Sequence, residues 1–223
     1  MKKVFLTGAS GDIGKAIKNV FEKNEYIVTA PKRNQLNLEN ILSVKEYFST
    51  ADLEFDILIH CAGFNNPKVL EELTFEDIDK TAMINYISFF EIVKSISPYM
   101  ISKKKGYILA ISSLYSNISR SGRLAYTASK HALNGVIKTL ACELGGNNIL
   151  VNSLSPGFVV TKMTSKNNSK DAIDLLVKRI PLQRLALPQD IADVAFYLCS
   201  KNTYITGQNI IVDGGFMISG EVN

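Results

Sequence analysis

The chain has 223 residues, 46% apolar and 21% charged, a composition that suits a soluble globular protein with one sizeable core. Its net charge of +4 is mild, and Lys and Arg are scattered apart from Lys103-Lys104-Lys105, which argues against a nucleic-acid or membrane surface as partner. Three Cys without metal spacing and only two His argue against a metal site, and the run Val4-Phe5-Leu6 after Met1-Lys2-Lys3 is too short for a signal sequence. A cytoplasmic protein is expected, with Cys61, Cys142 and Cys199 as buried free thiols.

Val4-Phe5-Leu6 is a short apolar run of the kind buried in a parallel sheet. Thr7-Gly8-Ala9-Ser10-Gly11-Asp12-Ile13-Gly14 follows, and a helix is expected over 12–23 from the spacing of Ile13, Ala16, Ile17, Val20 and Phe21. Strand, glycine-rich turn and helix together suit a pyrophosphate, because backbone N–H groups can approach it and the helix N-terminus favours its charge. A second strand is expected over 26–30. Pro31-Lys32-Arg33 then stands where such folds meet the adenosine ribose. With no acid there for a 2′-hydroxyl and two cations in reach of a 2′-phosphate, NADP(H) is favoured over NAD(H).

Gln35-Leu36-Asn37-Leu38 reads as a third strand, too close to the second for the usual crossover helix, which is therefore expected to be missing. A helix is expected over 38–48. The apolar run 55–61 is a strand covered on both faces, with His60 packed inside it and Ala62-Gly63 ending it. Thr74-Phe75-Glu76-Asp77 starts a long helical region to about Met100. Asn85 sits among its apolar residues, either as a structural hydrogen-bonder or as a holder of water.

A strand over 107–111 delivers Ser112 and Ser113 to the sheet edge where ligands bind in open α/β folds. The helix expected over 124–144 carries Tyr126 and Lys130. Positions i and i+4 share a helix face, so a phenol and an ammonium are held side by side. A neighbouring cation lowers a phenol's pKa, which makes the pair a candidate proton donor and acceptor for a carbonyl/alcohol interconversion. A strand over 150–154 ends at Pro156-Gly157. Residues 162–187 carry no strand signal and are expected to form a lid, with a helix near 170–179. A helix led by Pro188 and a last strand over 209–212 complete the alternation, which argues one doubly wound α/β domain spanning 1–223.

These residues together resemble the short-chain dehydrogenase/reductase family in its compact, single-domain, 3-oxoacyl-carrier-protein reductase-like branch. The resemblance rests on Thr7-Gly8 with Gly14, on Cys61-Ala62-Gly63, on Asn85, and on Ser113 thirteen residues before Tyr126 with Lys130. It rests also on Asn152 with Pro156-Gly157 and Thr161, and on Thr206-Gly207-Gln208 with Val212-Asp213-Gly214-Gly215. It implies a Rossmann-type parallel sheet of six to seven strands with helices on both faces. Tyr126 would be the general acid/base, Lys130 would lower its pKa and bind the nicotinamide ribose, Ser113 would hydrogen-bond the substrate oxygen, and Asn85 would hold a relay water. Gly8, Ser10, Gly11, Asp12 and Ile13 would line the phosphate loop, and Asn37 and Leu38 would flank the adenine. Cys61, Ala62 and Gly63 would pack along the cofactor. Pro156, Gly157, Val159 and Thr161 would meet it too, the last two orienting its amide.

Two departures stand out. Asp12 replaces the family's middle glycine, and His60-Cys61 replaces its usual Asn-Asn. The resemblance implies an NADPH-dependent carbonyl reductase with a small-molecule substrate, and a homo-oligomer, tetramer or dimer. Two other readings are a keto-sugar or sugar-nucleotide reductase and a non-catalytic NADP-binding regulator.

Overall fold

The structure, a computed structural model, describes residues 1–219; the last four residues of the domain expected over 1–223 lie outside it. Six parallel strands form one sheet in the order β2-β1-β3-β4-β5-β6. They are β1 (Lys3–Thr7), β2 (Ile27–Thr29), β3 (Ile57–His60), β4 (Gly106–Ile111), β5 (Ile149–Pro156) and β6 (Asn209–Val212). Period-two alternation divides their side chains between two cores. Phe5, Leu58, Ile108 and Val151 point to one face, and Val4, Leu6, Ile57, Ile59, Leu109 and Leu154 to the other.

The first face is covered by α2 (Ile41–Thr50), α4 (Ser88–Lys103) and α5 (Leu124–Leu144), through residues such as Phe48, Phe89, Ile96, Leu133 and Ile137. The second is covered by α1 (Asp12–Lys23) and α8 (Pro188–Ser200), through Ile17, Phe21, Ile191 and Ala195. Helices on both faces explain why β3 and β4 are apolar almost throughout. Among the described residues no helix is long and apolar enough to cross a membrane.

The segment read as a third strand is not one. Gln35 N and Leu36 N both donate to Lys32 O, at 2.9 and 3.0 Å, and Asn40 N donates to Asn37 O at 3.2 Å. The Gln35 Oε1 and Asn37 Oδ1 atoms accept from Lys32 N and Glu39 N. These local bonds fold 35–40 into turns, and no extended run is left to pair with β2, which becomes a sheet edge. Leu36 is buried all the same, as part of the first core. Helix α2 begins at Ile41 rather than 38 because Asn40 caps it, accepting from Leu42 N and Ser43 N.

The long helical region runs as α3 (Phe75–Ala82), a single π turn (Met83–Ile87) and α4, with the Thr74/Asp77 capping box at its start. The lid region holds two helices, α6 (Lys162–Asn167) and α7 (Lys170–Lys178). Its ends are tied together by a parallel bridge between Val159 and Ala186. Of the three thiols only Cys199 is buried; Cys61 is half-buried, and Cys142 is exposed on the outer side of α5, contrary to expectation.

Candidate active site

Because the strands are parallel, their carboxyl ends share one edge, and a cleft of about 960 Å³ opens there. Every residue expected at the site lines it except Asn85. One end is the glycine turn after β1. Gly8 has φ +73° and lies against the backbone of Cys61 and Ala62, where a Cβ would come within 2.5 Å of Ala62 N. Gly11 is the N-cap of α1 and offers no capping side chain, so the first-turn N–H groups of that helix are left for an anionic ligand.

Asp12, beside this turn, has a structural partner. Its Oδ2 accepts from Lys162 N at 2.8 Å, tying the first residue of α6 to the glycine loop. The cationic end of the cleft is formed by Lys32 and Arg33, where Arg33 Nη2 lies 2.6 Å from Glu39 Oε1 and Lys80 Nζ lies 3.1 Å from the same oxygen.

The usual asparagine at the end of β3 is replaced by an equivalent built from His60. Its Nε2 faces Ile84 O at 3.1 Å, so Nε2 carries the proton and donates. Nδ1 is then the acceptor for the Thr7 hydroxyl at 3.0 Å, and Thr7 Oγ1 accepts from Ala62 N at 3.2 Å. The imidazole is wholly buried, and burial drives its pKa down to about 3, so it stays neutral and structural. The His60–Thr7 pair thus holds the Ala62 backbone at the end of β3.

Tyr126, Ser113 and Lys130 come together at the other end. The Ser113 hydroxyl lies beside the Tyr126 phenol and also accepts from Tyr115 N at 3.2 Å, which fixes it. Lys130 is 2% exposed, and its Nζ is 5.7 Å from the Tyr126 ring centroid. Its hydrogen bond goes to Ile111 O at 2.8 Å, at the end of β4. Here the expectation of a lowered phenol pKa fails. Tyr126 is raised above its ordinary value because burial outweighs the help of Ser113 and Arg123.

Asn85 sits in the π turn with its amide making three hydrogen bonds. Oδ1 accepts from Phe64 N at 2.8 Å, and Nδ2 donates to Phe64 O at 3.0 Å and Ser129 Oγ at 2.8 Å. Its side chain clamps the loop after β3 to α5, and it stands beside Lys130 at the back of Gly63.

Burial lowers the Lys130 pKa to about 8, with the Cys61 thiol opposing the shift. Below pH 8 the ammonium is charged in both folded and unfolded chains. Between pH 8 and its ordinary 10.5 the unfolded chain binds the extra proton, so folding stability rises with pH in that window. The Cys61 thiol, pushed up to about 12 by burial, acts in the opposite sense above pH 9. Chemical denaturation is therefore expected to show stability rising from pH 8 to 9 in the wild type, with the rise absent in Lys130→Met.

Three residues have surroundings that the sequence pattern does not show. Thr7 is buried and bridges His60 to Ala62 N. Arg123, three residues before Tyr126, is buried against Tyr115. Ser112 was placed at the correct edge without a role. Its Oγ is buried, lines the cleft and has no hydrogen-bond partner among the described residues. Unpaired buried hydroxyls are rare, and the described residues supply no partner for this one. The uncapped α1 terminus suits the phosphates of a dinucleotide. Among the described residues no group of three or more His, Cys, Asp or Glu could hold a metal ion.

A family model described as enoyl-(acyl carrier protein) reductase matches residues 4–217. The chain is 32% identical to the 3-oxoacyl-acyl-carrier-protein reductase FabG of Thermotoga maritima, covering 97% of this chain and 98% of that one. It is 34% identical to nodulation protein G of Rhizobium meliloti, covering 96% of each. A 4-hydroxyisoleucine dehydrogenase solved with NADH is 29% identical, with a TM-score of 0.91 over 98% of this chain and 99% of that one. A Beutenbergia cavernae protein solved with NADP at low occupancy is 27% identical, with a TM-score of 0.90 over 97% of each chain. Likeness over almost the whole length joins the shared sheet and cleft: the chain belongs to the short-chain dehydrogenase/reductase family, as an NAD(P)-dependent oxidoreductase of the alcohol–carbonyl pair.

Proposed function

We propose that the protein reduces a ketone or aldehyde to an alcohol with NADPH, in the manner of a 3-oxoacyl-thioester reductase, with Tyr126 as general acid. The observation that carries this reading is the Ser113 hydroxyl beside the half-buried Tyr126 phenol, with the Lys130 ammonium behind it, in the same cleft as the glycine loop. The nicotinamide supplies the hydride. Tyr126, protonated at neutral pH, gives its proton to the carbonyl oxygen as negative charge builds there. Ser113 donates a hydrogen bond to the same oxygen, and Lys130 binds the ribose hydroxyls. Asn85 holds the frame through Phe64 and Ser129 and would hold a relay water beside Lys130.

The preference for NADPH rests on Lys32 and Arg33. The Arg33–Glu39 pair is exposed, and such pairs contribute only about 0–1 kcal/mol. A 2′-phosphate dianion can therefore displace Glu39, which keeps Lys80 as a partner. The whole chain would act as one domain with 162–187 as its lid. Exposed Phe75, Phe90 and Leu124 on the outer helices suit a homo-oligomer, tetramer or dimer.

The test is NADPH oxidation by the purified protein with a panel of ketones, aldehydes and 3-oxoacyl thioesters, repeated with NADH. Turnover with NADPH preferred is expected. Normal nucleotide binding with no turnover of any carbonyl would sink the proposal.

A further inference from the structure

Two guanidinium groups flank one aromatic ring beside Tyr126. Arg120 and Arg123 lie on the turn leading into α5, with Gly122 between them at φ +75° and its carbonyl held by Lys68 N at 3.2 Å. Their Cζ atoms stand 5.9 and 5.7 Å from the Tyr115 ring centroid. Tyr115 meets Tyr126 edge-on, with 6.0 Å between centroids. The cationic pair is thus one ring away from the phenol.

Arginine is seldom fully buried without an anionic partner, yet Arg123 is only 4% exposed. Its partners are neutral: Nη1 donates to Asn65 Oδ1 at 2.9 Å, and the guanidinium stands over the Tyr115 ring. Arg120 is exposed, and its Nη2 donates to Asn168 Oδ1 at 3.2 Å, which reaches the end of lid helix α6. Among the described residues neither guanidinium has a carboxylate within ion-pair distance. Asp77, at the start of α3, is already taken by Lys68 at 2.6 Å. The two like charges repel, and the repulsion adds to burial in lowering the Arg123 pKa. A negative group lying between them would relieve both costs and gain charge-assisted hydrogen bonds.

We propose that Arg120 and Arg123 form an anion clamp for the substrate, so that the ketone reduced at Tyr126 carries a carboxylate or phosphate group, held over Tyr115 beneath the lid. The clamp rests on the reading of Tyr126 and Ser113 as the carbonyl site. Its occupant is a small anionic oxo compound. The guanidinium fork accepts either a carboxylate or a phosphate monoester.

The test measures equilibrium binding to the full chain with NADP⁺, the oxidised nucleotide that leaves a ketone unreacted. The probes are 4-oxopentanoate and 5-oxohexanoate, their methyl esters, and 5-oxohexyl phosphate. Wild type is expected to bind an acid or the phosphate at least about tenfold more tightly than the matching ester, and the stronger of the two identifies the anion. Arg123→Gln is expected to bring the acid-to-ester ratio close to one. Arg120→Gln, at an exposed position, reduces it severalfold and decides the matter if the Arg123 variant does not fold. Added salt should shrink the ratio in wild type. Equal binding of acid and ester, no binding of any anionic probe, or equal losses for acid and ester in the variants would overturn the clamp. An arginine-dependent preference without any NADPH oxidation would instead keep the anion site and remove the carbonyl-reduction reading.

Discussion

Tyr126→Phe is expected to lower kcat for ketone reduction about 10²- to 10⁴-fold, the usual contribution of a positioned general acid, while NADPH binding and thermal stability stay close to wild type. The ring keeps its place, since its edge contact with Tyr115 does not involve the hydroxyl. Removing a half-buried hydroxyl costs at most about 1–3 kcal/mol, and less where the group was poorly hydrated. The pH dependence separates this role from a packing role. Burial raises the Tyr126 pKa above its ordinary value, so the phenol is protonated through neutral pH and donates there. Reduction should hold steady through neutrality and fall on the alkaline side as the phenol ionises. The reverse reaction, alcohol oxidation, needs the phenolate and should gain over the same range. The residual activity of Tyr126→Phe should lack the alkaline gain in alcohol oxidation, whereas a fall in reduction from loss of the Lys130 charge near pH 8 is shared by both proteins. Steady-state rates in both directions across pH check this, and an alkaline gain in oxidation that survives in the variant would count against Tyr126 as the proton-transfer group.

How far such a site can be read from sequence depends on how local its causes are. The ends of α5 are legible because the Gly122 turn precedes it and Gly145-Gly146 follow it, both near-neighbour effects. The same locality misled at 35–38. Leu36 and Leu38 alternate with polar residues as in a strand, but Gln35 and Asn37 make short-range hydrogen bonds that win the segment for turns. The Tyr126–Lys130 spacing correctly puts the two on one face, yet it says nothing of the Lys130 acceptor, Ile111 O, nineteen residues away on β4. Asn85 among apolar residues signals a hydrogen-bonded amide or a held water, but the π turn that aims its amide at Phe64 and Ser129 leaves no mark in the pattern of apolar residues. Nothing local marks Arg123 as buried, because its burial is caused by Tyr115 and Asn65, which come from two other segments. His60 was read correctly as packed, since a lone imidazole in an apolar strand has few other fates. Its service to Ala62 through Thr7 needed the register that pairs Thr7 with His60.

Gly14→Ala is expected to disrupt the nucleotide end of the cleft, whereas Gly11→Ala, three residues earlier in the same turn, is expected to be tolerated. Gly14 lies in the first turn of α1 and faces the glycine loop. A Cβ there would overlap the Gly8 carbonyl oxygen and come within 2.8 Å of Gly8 C and 2.9 Å of Ala9 Cα, all backbone atoms. The Gly8 carbonyl is also held by Gly11 N at 3.1 Å, so the loop cannot move aside without breaking its own turn. Alanine gains about 1 kcal/mol of helix propensity over glycine, but forcing a methyl into a packed contact costs about 1–3 kcal/mol or more, and the clash wins. At Gly11 the nearest atom to a Cβ is Gly8 O at 3.5 Å, an ordinary contact, and φ is −77°. The stiffer unfolded chain offsets part of any loss there, so the net change should stay within about 1 kcal/mol. Urea denaturation and NADPH titration of both variants test the argument together. Gly14→Ala should lose stability and more than about tenfold in nucleotide affinity, since displaced backbone N–H groups no longer converge on the pyrophosphate. Equal behaviour of the two variants would mean that close packing of α1 on the loop does not set the shape of the binding turn.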